Sequence, residues 1–171
     1  MIKICNFTER GMLDIDLTKY DYVSEDVSKQ FPRTILRRND LVMGVRGTYI
    51  GKCVLIPSSL EGANMSPNLI RVSPNRQILR PQFLWHFTCS SWWNEQINRI
   101  TYYWKLKFGT IRSNQLRQVM VPVPKLDEQD LSLQQMDDAL NAIKEIDIII
   151  SNTSDLLKSM IDKTFTIEKD S

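Results

Sequence analysis

The chain has 171 residues, 42% apolar and 25% charged, with a net charge of +2, enough for one globular domain plus an appendage. No apolar run approaches the roughly 20 residues needed to cross a bilayer, and the opening Met1-Ile2-Lys3-Ile4-Cys5 lacks a signal-peptide core. Cys5, Cys53 and Cys89 are odd in number and far apart, which argues against a disulfide framework and fits a reducing cytoplasm; they lack metal-ligand spacing too, and His86 is the only histidine.

The first predicted elements are short. Ile2 to Ile4 reads as a strand, Thr8-Glu9-Arg10-Gly11 as a turn, and the alternation in Leu13-Asp14-Ile15-Asp16-Leu17 as an edge strand. Residues 24–30 suit a short helix capped by Ser24, with Glu25 and Asp26 in its first turn and Pro32 beyond it. Arg37-Arg38-Asn39-Asp40 then turns into a strand over 41–45, and a glycine-bearing loop leads to a second strand over 53–56, giving a hairpin. The loop, Arg46-Gly47-Thr48-Tyr49-Ile50-Gly51-Lys52, fits neither phosphate-binding glycine pattern, GxxxxGK[ST] or GxGxxG. Its Arg46, Thr48 and Lys52 suit contacts to guanine or phosphate, and equally a plain hairpin turn.

Asn64 and Asn68 flank the entry to a strand over 69–72 and suit base edges as well as turns. From Pro81 the apolar spacing is helical through Phe83, Leu84, Phe87, Trp92, Ile97 and Ile100. Within it His86 reads as packing, and Trp92 and Trp93 as core with one able to reach the surface. Residues 100–107 mix aromatic and basic side chains (Tyr102, Tyr103, Trp104, Lys105, Lys107) in a strand-like stretch; such a mixture marks nucleic-acid surfaces and half-buried strands alike. A second glycine-led basic loop follows, with Arg112, Ser113 and Asn114; Ser113 suits the cap of a short helix through Val119, ahead of a strand over 120–123.

Pro122 and Pro124 then block helix, and residues 126–166 carry apolar side chains at three- and four-residue steps. Met136, Ile143, Ile150 and Leu157 share one heptad position; Leu133, Leu140 and Ile161 share another, interrupted by Asp147 and Ser154. Such a helix spans roughly 60 Å and needs a partner helix to cover its stripe. Charge is partitioned as sharply. Residues 62–125 hold nine basic side chains and one acid, Glu95, whereas residues 126–171 hold four basic and eleven acidic. A polyanion is drawn to the first segment and repelled by the second.

Several stretches, taken in order, resemble a known family. They are Asn39-Asp40-Leu41-Val42 running into Arg46-Gly47-Thr48-Tyr49-Ile50-Gly51, then Asn64-Met65-Ser66-Pro67-Asn68-Leu69-Ile70-Arg71-Val72 and Pro81-Gln82-Phe83-Leu84-Trp85. The loop 109–114 and Val121-Pro122-Val123-Pro124-Lys125-Leu126-Asp127-Glu128-Gln129 before the heptads complete the set. Together they look like one repeat of the specificity subunit of type I restriction-modification enzymes, a half specificity subunit.

The resemblance implies an α+β fold: a mixed, mostly β target recognition domain over residues 1–124, then a long coiled-coil-type helix over 125–171 for dimerisation and spacing. Within that reading, loop position and charge assign DNA contact to Arg46, Gly47, Thr48, Lys52, Asn64, Tyr102, Tyr103, Lys105, Lys107, Arg112, Ser113 and Asn114. The resemblance implies double-stranded DNA, methyltransferase subunits and, as a further partner, restriction subunits. Members normally carry two repeats, so one repeat implies a homodimer through antiparallel helices, reading an interrupted palindrome. The sequence holds no Asn-Pro-Pro-aromatic or Asp-Pro-Pro-aromatic methyltransferase motif and no glycine-rich cofactor loop. A non-catalytic chain is expected, with S-adenosylmethionine on the partner. The alternatives are a truncated or orphan specificity fragment and a coiled-coil interaction scaffold without DNA specificity.

Overall fold

A computed structural model of the chain describes residues 1–8, 11–14, 16–103 and 110–167, with the side chains of 103 and 165–167 outside that description. The chain divides into two compact units, Met1–Gln129 and Asp130–Ser171.

Unit 1 is built on strand β1 (Leu41–Gly44), which pairs antiparallel with β2 (Cys53–Leu55) and β3 (Leu69–Val72) in the order β2-β1-β3. Successive side chains of a strand point to opposite faces, and here both faces are covered. Leu41, Met43, Val45 and Cys53 enter one core with Leu84, Phe87, Trp93, Ile97 and Ile100; Val42, Val54, Ile56 and Leu69 enter the other with Ile2, Phe7, Leu13, Tyr20 and Leu36. A centre buried on both sides explains why 41–45 reads as a continuous apolar run. Cys53 is buried, and desolvation pushes its thiol up to about 12, while Cys5 and Cys89 are exposed and all three are free.

Helix α1 (Glu25–Gln30) starts at Ser24, whose side chain accepts the Val27 N–H, as the sequence predicts. The helical pattern from Pro81 resolves into two helices, α2 (Pro81–Thr88) and α3 (Ser91–Tyr103), with Pro81 in the first turn of α2. Cys89 and Ser90 donate back to His86 and Phe87 carbonyls, and the Ser90 hydroxyl accepts the Trp93 N–H, which ends one helix and starts the next. Trp93 is buried and donates its indole N–H to the Gly51 carbonyl (2.8 Å), while Trp92 is half exposed and packs edge-on against Phe87.

Four strand expectations are corrected. Residues 100–103 belong to α3, and 104–109 lie outside the described residues. The alternation over 13–17 yields one isolated bridge, Phe7 to Leu13, because Asp14 and Asp16 accept backbone N–H groups two residues on and form turns instead. Ile2 makes one parallel bridge to Met65 before a 3-10 turn over Ile4–Asn6. Residues 120–123 form no ladder: Pro122 has no N–H to give, and Met120 bonds through both its N–H and carbonyl to the Gln96 amide (2.7 and 3.0 Å). Helix α4 (Ser113–Leu116) is also shorter than expected, with Arg112 rather than Ser113 as its cap; the Gln115 side chain accepts the Arg112 N–H (2.8 Å).

Gly51 marks a point where only glycine fits. Its φ is +83°, and an added Cβ would lie 2.8 Å from Ile97 Cγ2. Gly51→Ala therefore combines left-handed strain with overpacking and is expected to cost about 2–3 kcal/mol, read as a lower denaturation midpoint. A shift below about 0.5 kcal/mol would show that α3 yields at no cost.

Helix α5 (Leu126–Ile167) has 42 residues, close to the predicted span. Its first turn is fixed inside unit 1: the Lys125 N–H donates to Glu128 Oε2 (2.8 Å), and fully buried Gln129 holds three backbone groups. Unit 2 is the rest of this helix, and its apolar stripe, including Met136, Leu140, Ile143, Ile150, Leu157 and Ile161, is exposed, while Leu133 is partly covered. Ile146 and Met160, three residues on from Ile143 and Leu157, are exposed on the same side and widen the seam beyond the two predicted rows. No helix among the described residues is long and apolar enough to cross a membrane.

Candidate nucleic-acid interface

Three loops distant in sequence meet at the C-terminal end of β1. The Val45 N–H donates to the Asn68 carbonyl and the Ile111 N–H to the Val45 carbonyl, both at 3.1 Å. Arg46 and Thr110 form an antiparallel bridge. Ile111 is buried in the core and anchors the third loop, leaving Arg112, Ser113 and Asn114 exposed beside it. Nothing in the local sequence joins these loops; the strand end and the apolar anchor do.

Side chains reinforce the junction. Arg46 Nε donates to Thr110 Oγ1 (2.6 Å) and Nη1 to Asn68 Oδ1 (3.4 Å). Both partners are neutral, and among the described residues no carboxylate pairs with the exposed Arg46, Lys52 or Arg112. Gly47 opens a 3-10 turn over Gly47–Tyr49 with φ +63°, and Thr48 on it is exposed. Lys52 lies with its ammonium 5.0 Å from the Tyr49 ring centroid, a contact that steadies the side chain without neutralising it. Exposed donors on loops fixed by a sheet are suited to phosphate oxygens and base edges.

The structure thus brings together Arg46, Gly47, Thr48, Lys52, Arg112, Ser113 and Asn114 from the sequence-predicted set. Asn64 stands apart: it is buried, its amide donates to Thr34 Oγ1 (2.9 Å), and its backbone pairs with Ile35 and Ile2. Asn68 and Thr110 hold the place at the junction instead. Asn68 was legible as one of two asparagines flanking a strand entry; Thr110 gave no signal, since its role depends on a bridge 64 residues away. Tyr102 is 88% exposed on the last turn of α3, and no described contact joins it to the three loops. The side chain of Tyr103, and Lys105 and Lys107 entirely, lie outside the described residues.

Two of the nine basic side chains of residues 62–125 stand away from this junction. At the opposite end of the sheet Arg71 donates to the Ile35 carbonyl (2.6 Å) and Arg76 to the Arg38 carbonyl (2.8 Å), so both arginines hold backbone there.

No protein-family model matches the chain. A curated relative, the type I restriction enzyme EcoBI specificity subunit of Escherichia coli, is 22% identical over 173 residues, covering 96% of this chain and 34% of its own length. The HsdS subunit from Thermoanaerobacter tengcongensis has a similar fold, with a TM-score of 0.56 at 20% identity over 66% of this chain and 28% of its own. A chain from a type I R-M system solved for its complex assembly and conformational transition gives 0.53 at 21% identity, over 65% and 28% of the two chains. The chain spans about one third of the length of the curated relative. In sequence along nearly all its length, and in fold, the chain is similar to specificity subunits of type I restriction-modification enzymes.

Proposed function

We propose that this chain is a DNA-recognition half-subunit that directs a methyltransferase, and with it a nuclease, to a bipartite site. The observation that carries the reading is the meeting of three loops at one end of the sheet, with Arg46, Thr48, Lys52, Arg112 and Asn114 exposed and no acid pairing the three basic groups among the described residues. Fixed loops presenting unpaired donors suit a duplex, where phosphate contacts set register and base edges give sequence.

The acidic helix serves assembly. Its net negative charge repels DNA, and its exposed stripe over Met136, Ile143, Ile150 and Leu157 is the seam of a helix pair. A second copy of the chain is the simplest partner, and two identical readers would recognise an interrupted palindrome. The chain carries no chemistry in this reading; S-adenosylmethionine and methyl transfer belong to the methyltransferase.

The test is modified-base sequencing of DNA from cells co-expressing the chain with a type I methyltransferase encoded beside it. A symmetric, interrupted methylated motif that depends on the chain is the expected result. An asymmetric motif would replace the homodimer with a pair of unlike halves. An assembled complex without chain-dependent methylation would overturn the reading in favour of an orphan fragment or an interaction scaffold.

A further inference from the structure

Among the described residues no carboxylate pairs with the guanidinium of Arg46, yet its orientation is fixed. Thr110 Oγ1 takes the Nε proton and Asn68 Oδ1 takes one from Nη1, each from a different loop. The backbone beneath is held as well, by the Val45–Asn68 and Ile111–Val45 hydrogen bonds and the Arg46–Thr110 bridge. Five donors less two leave one on Nη1 and both on Nη2, so each terminal nitrogen keeps a proton to give.

A phosphate contact does not need this arrangement, since a mobile charge on a long stem neutralises phosphate well. Reading a base edge does need it: two donors must meet two acceptors in one plane, and neighbours that lock the rotamer supply that precision in advance. The only standard base with two adjacent major-groove acceptors is guanine, through O6 and N7. Resting on the DNA-reading role above, we infer that Arg46 is the guanine-reading residue of this unit and that Thr110 and Asn68 are positioning residues that set its plane.

The experiment is selection of bound duplexes from a randomised library by the full-length chain, the Arg46→Lys variant and the Thr110→Val variant. The wild type is expected to enrich a motif with an essential guanine. Arg46→Lys keeps the charge and loses the fork, so preference at that position should fall by roughly tenfold to a hundredfold while affinity for random duplex stays within about threefold. Thr110→Val should relax the same position without changing the salt dependence of binding, an outcome that a purely structural role would not give. Replacing that guanine by 7-deazaguanine removes N7; it should weaken the wild type roughly tenfold and Arg46→Lys by clearly less, since lysine lacks the planar fork.

A selected motif whose guanine preference survives in Arg46→Lys would overturn this assignment and leave DNA recognition standing. A wild type that enriches no motif would overturn both. If Arg46→Lys instead loses affinity for all duplexes equally, Arg46 is a phosphate contact and the assignment fails.

Discussion

Replacing Gln129 by leucine is expected to destabilise unit 1 by about 3–5 kcal/mol, among the largest effects of any single substitution in the chain. Gln129 is 0% exposed, yet every polar atom of its amide is matched. Oε1 accepts the Arg80 N–H (2.8 Å), and Nε2 donates to the carbonyls of Ile78 (2.9 Å) and Pro124 (2.7 Å). One side chain therefore joins the loop before α2, the proline segment and the first turn of α5. Leucine fills similar space but strands one donor and two acceptors in the interior, each costing about 1–3 kcal/mol. Glutamate can still accept from Arg80 but cannot donate, and it would bury a charge, so Gln129→Glu should be worse than Gln129→Leu. All four tryptophans precede residue 105, so tryptophan fluorescence during denaturation reports on this unit. A leucine variant within about 0.5 kcal/mol of wild type would show that water replaces the amide freely.

The double substitution Ile143→Asp and Ile150→Asp is expected to abolish the proposed helix pairing, weakening self-association by at least roughly a hundredfold. Both residues are exposed, at 55% and 57%, and lie one heptad apart on the same stripe. Fully burying an isoleucine is worth about 1.5–3 kcal/mol, and each change counts twice in a symmetric pair. A single amphipathic helix gains most of its stability from packing, so the variant should also lose helical circular dichroism. Ile148→Asp is the control. It is just as exposed, at 59%, but sits on the outer face, five residues from Ile143 and two from Ile150, and should leave association unchanged. Sedimentation equilibrium separates the cases. If all three substitutions act alike, or none acts, the stripe is not the seam.

Sequence legibility followed the range of the interactions involved. The hairpin over β1 and β2, β3, the capped helix α1, the proline at the start of α2 and the span of α5 are set by side chains within a few residues of each other, so their periodicity and punctuation were readable. The failures share a cause. Residues 100–103 favour strand by composition, but burial of Ile100 against the core keeps them in α3. Residues 120–123 look like a strand, but Gln96, 24 residues away, supplies the partner a neighbouring strand would have given. The alternation over 13–17 lost to local carboxylate turns.

The candidate interface divides in the same way. Sequence alone determined the basic and acidic partition, the two glycine-led loops carrying Arg46 and Arg112, and the length and stripe of the helix. Charge count, loop chemistry and heptad spacing are properties of the chain itself. Tertiary structure decided that those loops share one end of the sheet, that Asn68 and Thr110 orient Arg46 while Asn64 turns inward to Thr34, and that Gln129 ties the helix start to the loop before α2. Those contacts join residues 22 to 64 positions apart, and no local pattern encodes them. They follow from the burial of apolar anchors such as Ile111 and Leu69 against the central strand, which fixes where the polar groups beside them must lie.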